Sequence, residues 1–415
     1  MNGYIINGGR PLSGKLTASG AKNAVLPMIA ASLLTREETV IKNCPEISDV
    51  INMSEIIKTL GGNALREGRD LVLKTEDLKS YSVPERLCSA IRTSVLFSGA
   101  LLSREGKARL YLPGGCELGA RPIDIHISAF EKMGATATFG GEEIILSAGK
   151  LVGADICFPY PSVGATENVM LAAVTAEGTT RIFGAAREPE IADFAAMLRS
   201  MGAKIYGAGE RTIVVEGVKK LHGTVWSPVF DRIETGTYLI MAAASGGEVE
   251  ISGIKAENIY SLIAKLCENS CKIRIKNDII YLSCGRVKKP FVAATGPYPD
   301  FPTDLQAQIT VLAVLSDGKS VIEENVFPGR FSHVAELKKM GADIRQEDNR
   351  AIIFGGKRLH GAAVGSHDLR CGAALVTAGL CAEGKTVVGD VRFIERGYPE
   401  FVKKLRGLGA DITEK

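Results

Sequence analysis

The chain has 415 residues, more than one hydrophobic core usually organises, so at least two domains are expected. Its 46% apolar and 23% charged residues are those of an ordinary globular protein, and a formal charge of +3 leaves no global field for nucleic acid. No run approaches the ~18 apolar residues of a membrane span, and nine cysteines without CxxC or Cys/His zinc spacing predict neither a disulfide framework nor a metal site. A reducing cytoplasm is the expected compartment.

The first strand, Tyr4 to Asn7, stands before any repeated unit and is expected to pair with the second half of the chain. Asn23 to Leu34 is apolar, but more than twenty glycine-rich residues precede it and it carries Pro27, which is not a secretory leader's layout. From here a phrase of the form "Leu or Met, Gly, Ala" recurs at the end of amphipathic helical stretches: LGGNA at Leu60, MGATA at Met133, MGAKI at Met201, NSCKI at Asn269, MGADI at Met340 and LGADI at Leu408. The intervals are 73, 68, 68, 71 and 68 residues. Glycine just past the last helical turn is the expected C-cap, and the divergent Asn269-Ser270-Cys271 reads as drift in a surface turn.

Each unit also carries an earlier helix that is apolar nearly all round, as in GATENVMLAAV, TGTYLIMAAA, TDLQAQITVLAV and CGAALVTAGL. Such a helix is buried, whereas RFSHVAELKKM has one apolar stripe and belongs on a surface. The unit therefore reads as strand, buried helix, strand, surface helix, glycine turn and hairpin. About 70 residues make a complete βαβαββ module rather than a solenoid repeat. Six modules predict an α/β protein of two domains with three modules each, residues 21–229 and residues 1–20 plus 230–415, crossing near Pro228.

The buried helices open with Lys22-Asn23, Arg92, Ser162-Val163-Gly164, Arg232, Asp304 and Arg370. Ser162 and Asp304 suit helix capping. The cations do not, because Lys or Arg at a helix N-terminus opposes the dipole unless an anion binds there. Ahead of the MGATA phrase, within the second module, lies PGGCELGARPIDIH, a loop in which Cys116 shares company with Arg121 and His126. Positive charge beside a thiol favours thiolate and reactivity. DGKS at Asp317 lacks the upstream glycine of a phosphate loop, and GxGxxG in context, paired zinc histidines and GxSxG are absent from the sequence. Glu142 and Glu143 read as a solvated hairpin.

The phrases SGAKNAVLP, PGGCELGARPIDIH, PSVGATENVM, AAREPEI, DRIETGTY, FPTDLQAQ, RFSHVAELKKMGAD, DLRCGAALV and ERGY, in this order, closely resemble the UDP-N-acetylglucosamine enolpyruvyl transferases. The resemblance spans nearly the whole chain. It implies an inside-out α/β barrel in each domain, an active site in the cleft between them, and no metal or organic cofactor. The implied reaction moves the enolpyruvyl group of phosphoenolpyruvate to the 3-hydroxyl of UDP-N-acetylglucosamine with release of phosphate, the first committed step toward peptidoglycan precursors. A non-catalytic UDP-sugar-binding paralogue and transfer to shikimate 3-phosphate are the alternatives.

Carried over residue by residue, the resemblance makes Cys116 the general acid on a mobile loop, a participant in phosphate departure, a nucleophile toward phosphoenolpyruvate and the target of the epoxide fosfomycin. Lys22, Arg121 and Arg396 match the cationic clamp on phosphoenolpyruvate, with Arg92 and Arg370 lining the same pocket. Asp304 matches the residue at the sugar hydroxyl, a general base or an orienting group. Asn23 and Val326 would contact the sugar. Arg121, Pro122, Ile123, Asp124, Ile125 and His126, with Ser162, Val163 and Gly164, would hold the uridine and diphosphate. Arg330, Asp368 and Leu369 complete the substrate-binding set. The chain departs from the pattern at Tyr160, where some relatives present lysine, and at Gly329, where asparagine is common. The implied partners are the two small substrates, with no nucleic acid, no membrane and no required oligomer.

Overall fold

The computed structural model describes residues 3–114, 123–285 and 288–415. Among them, residues 20–229 form one compact unit and residues 3–19 with 230–415 form a second. Each unit holds three β-sheets. No helix among the described residues is long and apolar enough to cross a membrane.

The third module shows the plan. Strand Asp155–Cys157 leads to helix Val163–Ala173, strand Thr179–Phe183, helix Pro189–Ser200 and the hairpin Lys204–Tyr206 with Thr212–Glu216. Asp155–Cys157 pairs parallel with Thr179–Phe183, and the hairpin continues the sheet antiparallel. The first module borrows its parallel strand, since Thr39–Ile41 pairs with Thr224–Trp226 from the far end of the same unit. The second module's sheet has three strands, and a single parallel bridge from Ser82 to Arg109 stands in place of a fourth.

The second unit closes in the same way around the chain start. Gly3–Asn7 lies antiparallel between Lys385–Gly389 and Asp411–Glu414, and Ser13–Thr17 runs parallel to Glu248–Ser252. Residue 19 is tied down within this unit. The Ser19 N–H donates to Glu234 Oε2 (2.7 Å), its carbonyl accepts from the Asp231 N–H (2.8 Å), and Lys404 Nζ reaches both Ser19 Oγ and the fully buried Glu234.

In each unit the apolar helices lie against one another and against the inner faces of the sheets. Helices Lys22–Ala31, Leu96–Glu105 and Val163–Ala173 pack together in the first unit, and Arg232–Ser245, Gln306–Val314 and Leu369–Cys381 in the second. Every residue of Gln306–Val314 is buried, which follows from a sequence with no polar stripe to turn outward. Each fully buried Leu, Ile or Val contributes about 1.5–3 kcal/mol.

The NSCKI copy corrects the sequence reading of a surface turn. Asn269 occupies the site of the repeat's buried Met and is itself fully buried, donating to the Lys289 carbonyl (2.6 Å) and Ser316 Oγ (2.8 Å). Ser270 takes the left-handed conformation (φ 73°) that glycine supplies in the other copies. Cys271 is bonded to Cys284, against the expectation of no disulfides. Lys272 and Ser283 are directly paired across the hairpin, so their outer neighbours Cys271 and Cys284 face each other with Cα atoms 4.4 Å apart.

Candidate active site

Asp304 lies in a 3-10 turn, Thr303–Leu305, that feeds helix Gln306–Val314. Its side chain does not cap that helix, so the capping alternative falls. Its carboxylate is instead gripped by two arginines: Arg330 Nη2 donates to Oδ1 (2.8 Å) and Arg370 Nη2 to Oδ2 (3.2 Å). Both guanidiniums are nearly enclosed, at 7% and 5% side-chain exposure, while Asp304 keeps 26%. Burial alone would raise the Asp304 pKa, but the Arg370 and Arg330 charges outweigh it and hold the carboxyl well below its ordinary 3.8. Asp304 thereby supplies the anion that a cation at the start of the Arg370 helix requires.

Arg370 is the second residue of helix Leu369–Cys381, whose true N-cap is Asp368. Asp368 Oδ1 accepts from the backbone N–H groups of Arg370 (2.8 Å) and Cys371 (3.0 Å), and Oδ2 from Ser332 Oγ (2.9 Å). The Asp368 carboxylate is thus committed to capping, and Leu369 beside it is half-buried. Arg370 Nη1 donates to Tyr398 Oη (3.0 Å), which also meets Thr237 Oγ1 (2.9 Å) and Gln308 Nε2 (3.1 Å). The starts of the three buried helices of this unit are joined through that hydroxyl. Arg396 closes the 3-10 turn Val391–Arg396, two residues before Tyr398.

Glu324, fully buried, organises the other side. Its Oε1 accepts from Thr295 Oγ1 (2.8 Å) and from the N–H groups of Val326 and Phe327 (2.9 Å each), and its Oε2 from Thr303 Oγ1 (2.9 Å). Thr303 Oγ1 in turn accepts from Arg330 Nη1 (2.9 Å). One carboxylate therefore fixes the half-buried Val326, the Asp304 turn and Arg330 together.

In the first unit, Lys22 opens helix Lys22–Ala31, followed by the half-buried Asn23. Its Nζ lies 2.7 Å from Asp49 Oδ2 in the first turn of helix Ser48–Thr59, and both side chains are largely enclosed. Arg92 begins the 3-10 turn Arg92–Val95. Ser162 caps helix Val163–Ala173 by accepting from the Ala165 N–H (3.3 Å), leaving Val163 and Gly164 half-exposed in its first turn. Ile123 is buried at the entry to helix Asp124–Lys132, Asp124 is exposed, Ile125 is half-buried and His126 is buried. A depression of about 240 Å³ borders Asp124 and Ile125, walled by Lys132, Ile156, Cys157 and Phe158.

His126 Nδ1 lies 3.0 Å from Asn168 Nδ2. Burial, with Arg92 nearby, lowers its pKa to about 4 against the pull of Asp124. On the same helix as Asn168, Glu167 is pushed well above the carboxylate range by burial, with Glu190 and Glu188 adding to the effect. Cys116, Arg121 and Pro122 lie outside the described residues.

Comparison with known proteins accounts for the whole chain. It is 44% identical to UDP-N-acetylglucosamine 1-carboxyvinyltransferase 2 of Caldanaerobacter subterraneus over 100% of its length and 99% of that protein. It is 46% identical to the like-named protein of Carboxydothermus hydrogenoformans, covering 99% of each. The chain belongs to the 1-carboxyvinyltransferase, or enolpyruvyl transferase, family. Residues 6–405 match the family described as EPSP synthase (3-phosphoshikimate 1-carboxyvinyltransferase). Among solved structures, the enolpyruvyl transferase NikO from Streptomyces tendae shares its fold with a TM-score of 0.91 at 24% identity, covering 100% of this chain and 99% of that one. An EPSP synthase from Acinetobacter baumannii follows at 0.78 and 20%, with both chains fully covered.

The enolpyruvyl transferase phrases pointed to Asp304, Arg330 and Arg370 separately, and the structure brings these three together. Glu324, Tyr398, Gln308, Thr237 and Asn168 were missed. Tyr398 lay in ERGY and Gln308 in FPTDLQAQ, so the signal was present as phrase membership without a role.

Proposed function

We propose that this protein transfers the enolpyruvyl group of phosphoenolpyruvate to the 3-hydroxyl of UDP-N-acetylglucosamine and releases phosphate, in the cytoplasm, as the first committed step toward peptidoglycan precursors. End-to-end similarity at 44–46% to proteins of that name carries the reading. None of these relatives is named for shikimate 3-phosphate, which favours the nucleotide sugar as acceptor.

The chemistry needs a proton delivered to the methylene carbon, an alkoxide equivalent added to the neighbouring carbon, then loss of phosphate and of a methyl proton to restore the double bond. Cys116 is the proposed acid. Lys22, Arg121 and Arg396 would hold the phosphate and carboxylate of phosphoenolpyruvate, with Arg92 beside them, through charge-assisted bonds. Asp304 would accept the hydrogen bond of the sugar hydroxyl. A carboxylate held far below its usual pKa is a poor proton store, so its first contribution is to orient that hydroxyl and stabilise the positive charge developing on the oxygen. Proton transfer to Asp304 then requires one of its two arginines to turn toward substrate. Ser162, Val163, Gly164 and the 121–126 segment would take the nucleotide, with the free N–H groups of the helix start suited to phosphate oxygens.

Purified protein with both substrates should release phosphate continuously. Replacing UDP-N-acetylglucosamine by shikimate 3-phosphate should abolish release, and turnover with the second acceptor alone would sink the assignment.

A further inference from the structure

Asn168 is fully buried in helix Val163–Ala173, between His126 and the start of the neighbouring buried helix. The backbone N–H of Gly99 donates to one end of its amide (2.9 Å). A backbone N–H can only donate, so that end is Oδ1 and the amide cannot be flipped. The NH2 end then faces three acceptors: the Val95 carbonyl (2.9 Å), Ser98 Oγ (3.0 Å) and His126 Nδ1 (3.0 Å). Ser98 Oγ itself donates to the Val95 carbonyl (2.6 Å), so those two acceptors sit side by side and share one N–H while the other points at the imidazole.

An amide NH2 has no lone pair to offer a ring N–H. His126 Nδ1 must therefore carry the lone pair, and the ring proton resides on Nε2. The same contact opposes the imidazolium, which would set two donors against each other. Arg92 adds to that opposition, and among the described residues Asp124 is the acidic group acting against it. The Nε2–Cε1 edge faces Gly164 in the first turn of the helix, with Cε1 and Nε2 at 3.6 and 3.9 Å from where a Cβ on Gly164 would stand. Among the described residues Nε2 has no hydrogen-bond partner.

We propose that Asn168 is a positioning residue: it locks His126 as the neutral Nε2–H tautomer, so that a fixed, uncharged donor stands beside Gly164 for an acceptor oxygen of the UDP moiety. The ligand rests on the reading under Proposed function, whereas the tautomer does not. A neutral donor in a buried position keeps nucleotide affinity independent of pH across the range where an ordinary histidine, with a pKa near 6.5, would titrate.

The test uses the full-length protein labelled with 15N-histidine, without ligand. Long-range proton–nitrogen correlation should show His126, assigned by its loss in His126→Gln, as Nε2–H at pH 7. Asn168→Asp keeps the size and the acceptor for Gly99 but places a carboxylate oxygen at Nδ1, so at a pH where the nitrogen shifts show a neutral ring it should be Nδ1–H, with Nε2 turned from donor to acceptor. KM for UDP-N-acetylglucosamine should then rise about tenfold, with kcat and KM for phosphoenolpyruvate within about twofold of wild type by the same reasoning. An Nδ1–H ring in the wild type, or a switched tautomer with unchanged KM, would overturn the proposal. Should Asn168→Asp fail to fold, His126→Gln, which keeps a donor near the Nε2 position, should hold KM within about threefold while His126→Phe raises it about tenfold. Equal losses in both would also refute it. If the wild type fails to bind UDP-N-acetylglucosamine, the assigned ligand falls, and the tautomer result stands by itself.

Discussion

Asp304→Ala removes the carboxylate that two nearly enclosed guanidiniums share, and the structure sets the size of the effect. Stripping one partner from a buried ion pair costs about 3–5 kcal/mol. Asp304 keeps 26% side-chain exposure, so water reaches the vacated position and the lower end, about 3 kcal/mol, is expected. For a unit of roughly 200 residues that corresponds to a fall of about 6–12 °C in melting temperature. Asp304→Asn retains one acceptor oxygen and should lose about half as much. Inorganic phosphate should recover part of the loss in Asp304→Ala, because an anion can reoccupy the space between Arg330 and Arg370. The pH dependence has a definite sign. The folded pKa is depressed, so the pair's stabilisation is fully present above the ordinary 3.8 and is lost only as pH falls through the lower folded value. The assay is differential scanning fluorimetry with and without phosphate, alongside turnover. A melting temperature unchanged within a degree, or a loss that phosphate leaves untouched, would refute this account of the pair. On the catalytic side kcat should fall by about 10²–10⁴ in Asp304→Asn.

Other predictions rest on separate features. Asp193, which accepts from Trp226 Nε1 (3.1 Å) and the Val229 N–H (2.9 Å), has its pKa raised by burial to about 6. Its proton is held more tightly folded than unfolded, so stability should decline by about 2 kcal/mol between pH 4 and pH 7, and Asp193→Asn should flatten the thermal-shift profile there. Cys116→Asp should keep a proton donor and lose the nucleophile; retained turnover without fosfomycin labelling identifies the acid role, and mass spectrometry must localise the adduct because Cys157 and Cys267 are exposed thiols. Peptide mapping without reductant should recover Cys271 joined to Cys284, and reduction should lower the melting temperature. Two free thiols there in oxidised protein would contradict the cross-strand bond.

The repeat was legible because burial writes periodicity into sequence: five glycine-capped phrases, a sixth with Ser270 in the glycine's place, and the recurring apolar helices suffice to give the βαβαββ module. What periodicity cannot report is the partner of a polar group. Lys22, Arg330 and Arg370 read as cations awaiting a ligand, yet Asp49 and Asp304 neutralise them from more than 25 residues away. Asp304 looked like a cap because of its place in the chain, whereas its turn directs the side chain to the arginines. Asn269 looked like drift because its hydrogen bonds run to Lys289 and Ser316, 20 and 47 residues distant. Asn168 sits within an apolar run, and only the tertiary neighbours Gly99 and His126 give it a role.

The most direct test of the central claim is the fate of the bridging oxygen of phosphoenolpyruvate. With that atom labelled by ¹⁸O and UDP-N-acetylglucosamine as acceptor, the account requires carbon–oxygen cleavage. The label should leave in the released phosphate, and the product should carry an enolpyruvyl ether on the sugar 3-oxygen. Unlabelled phosphate, or a sugar 3-hydroxyl left unmodified, would contradict it.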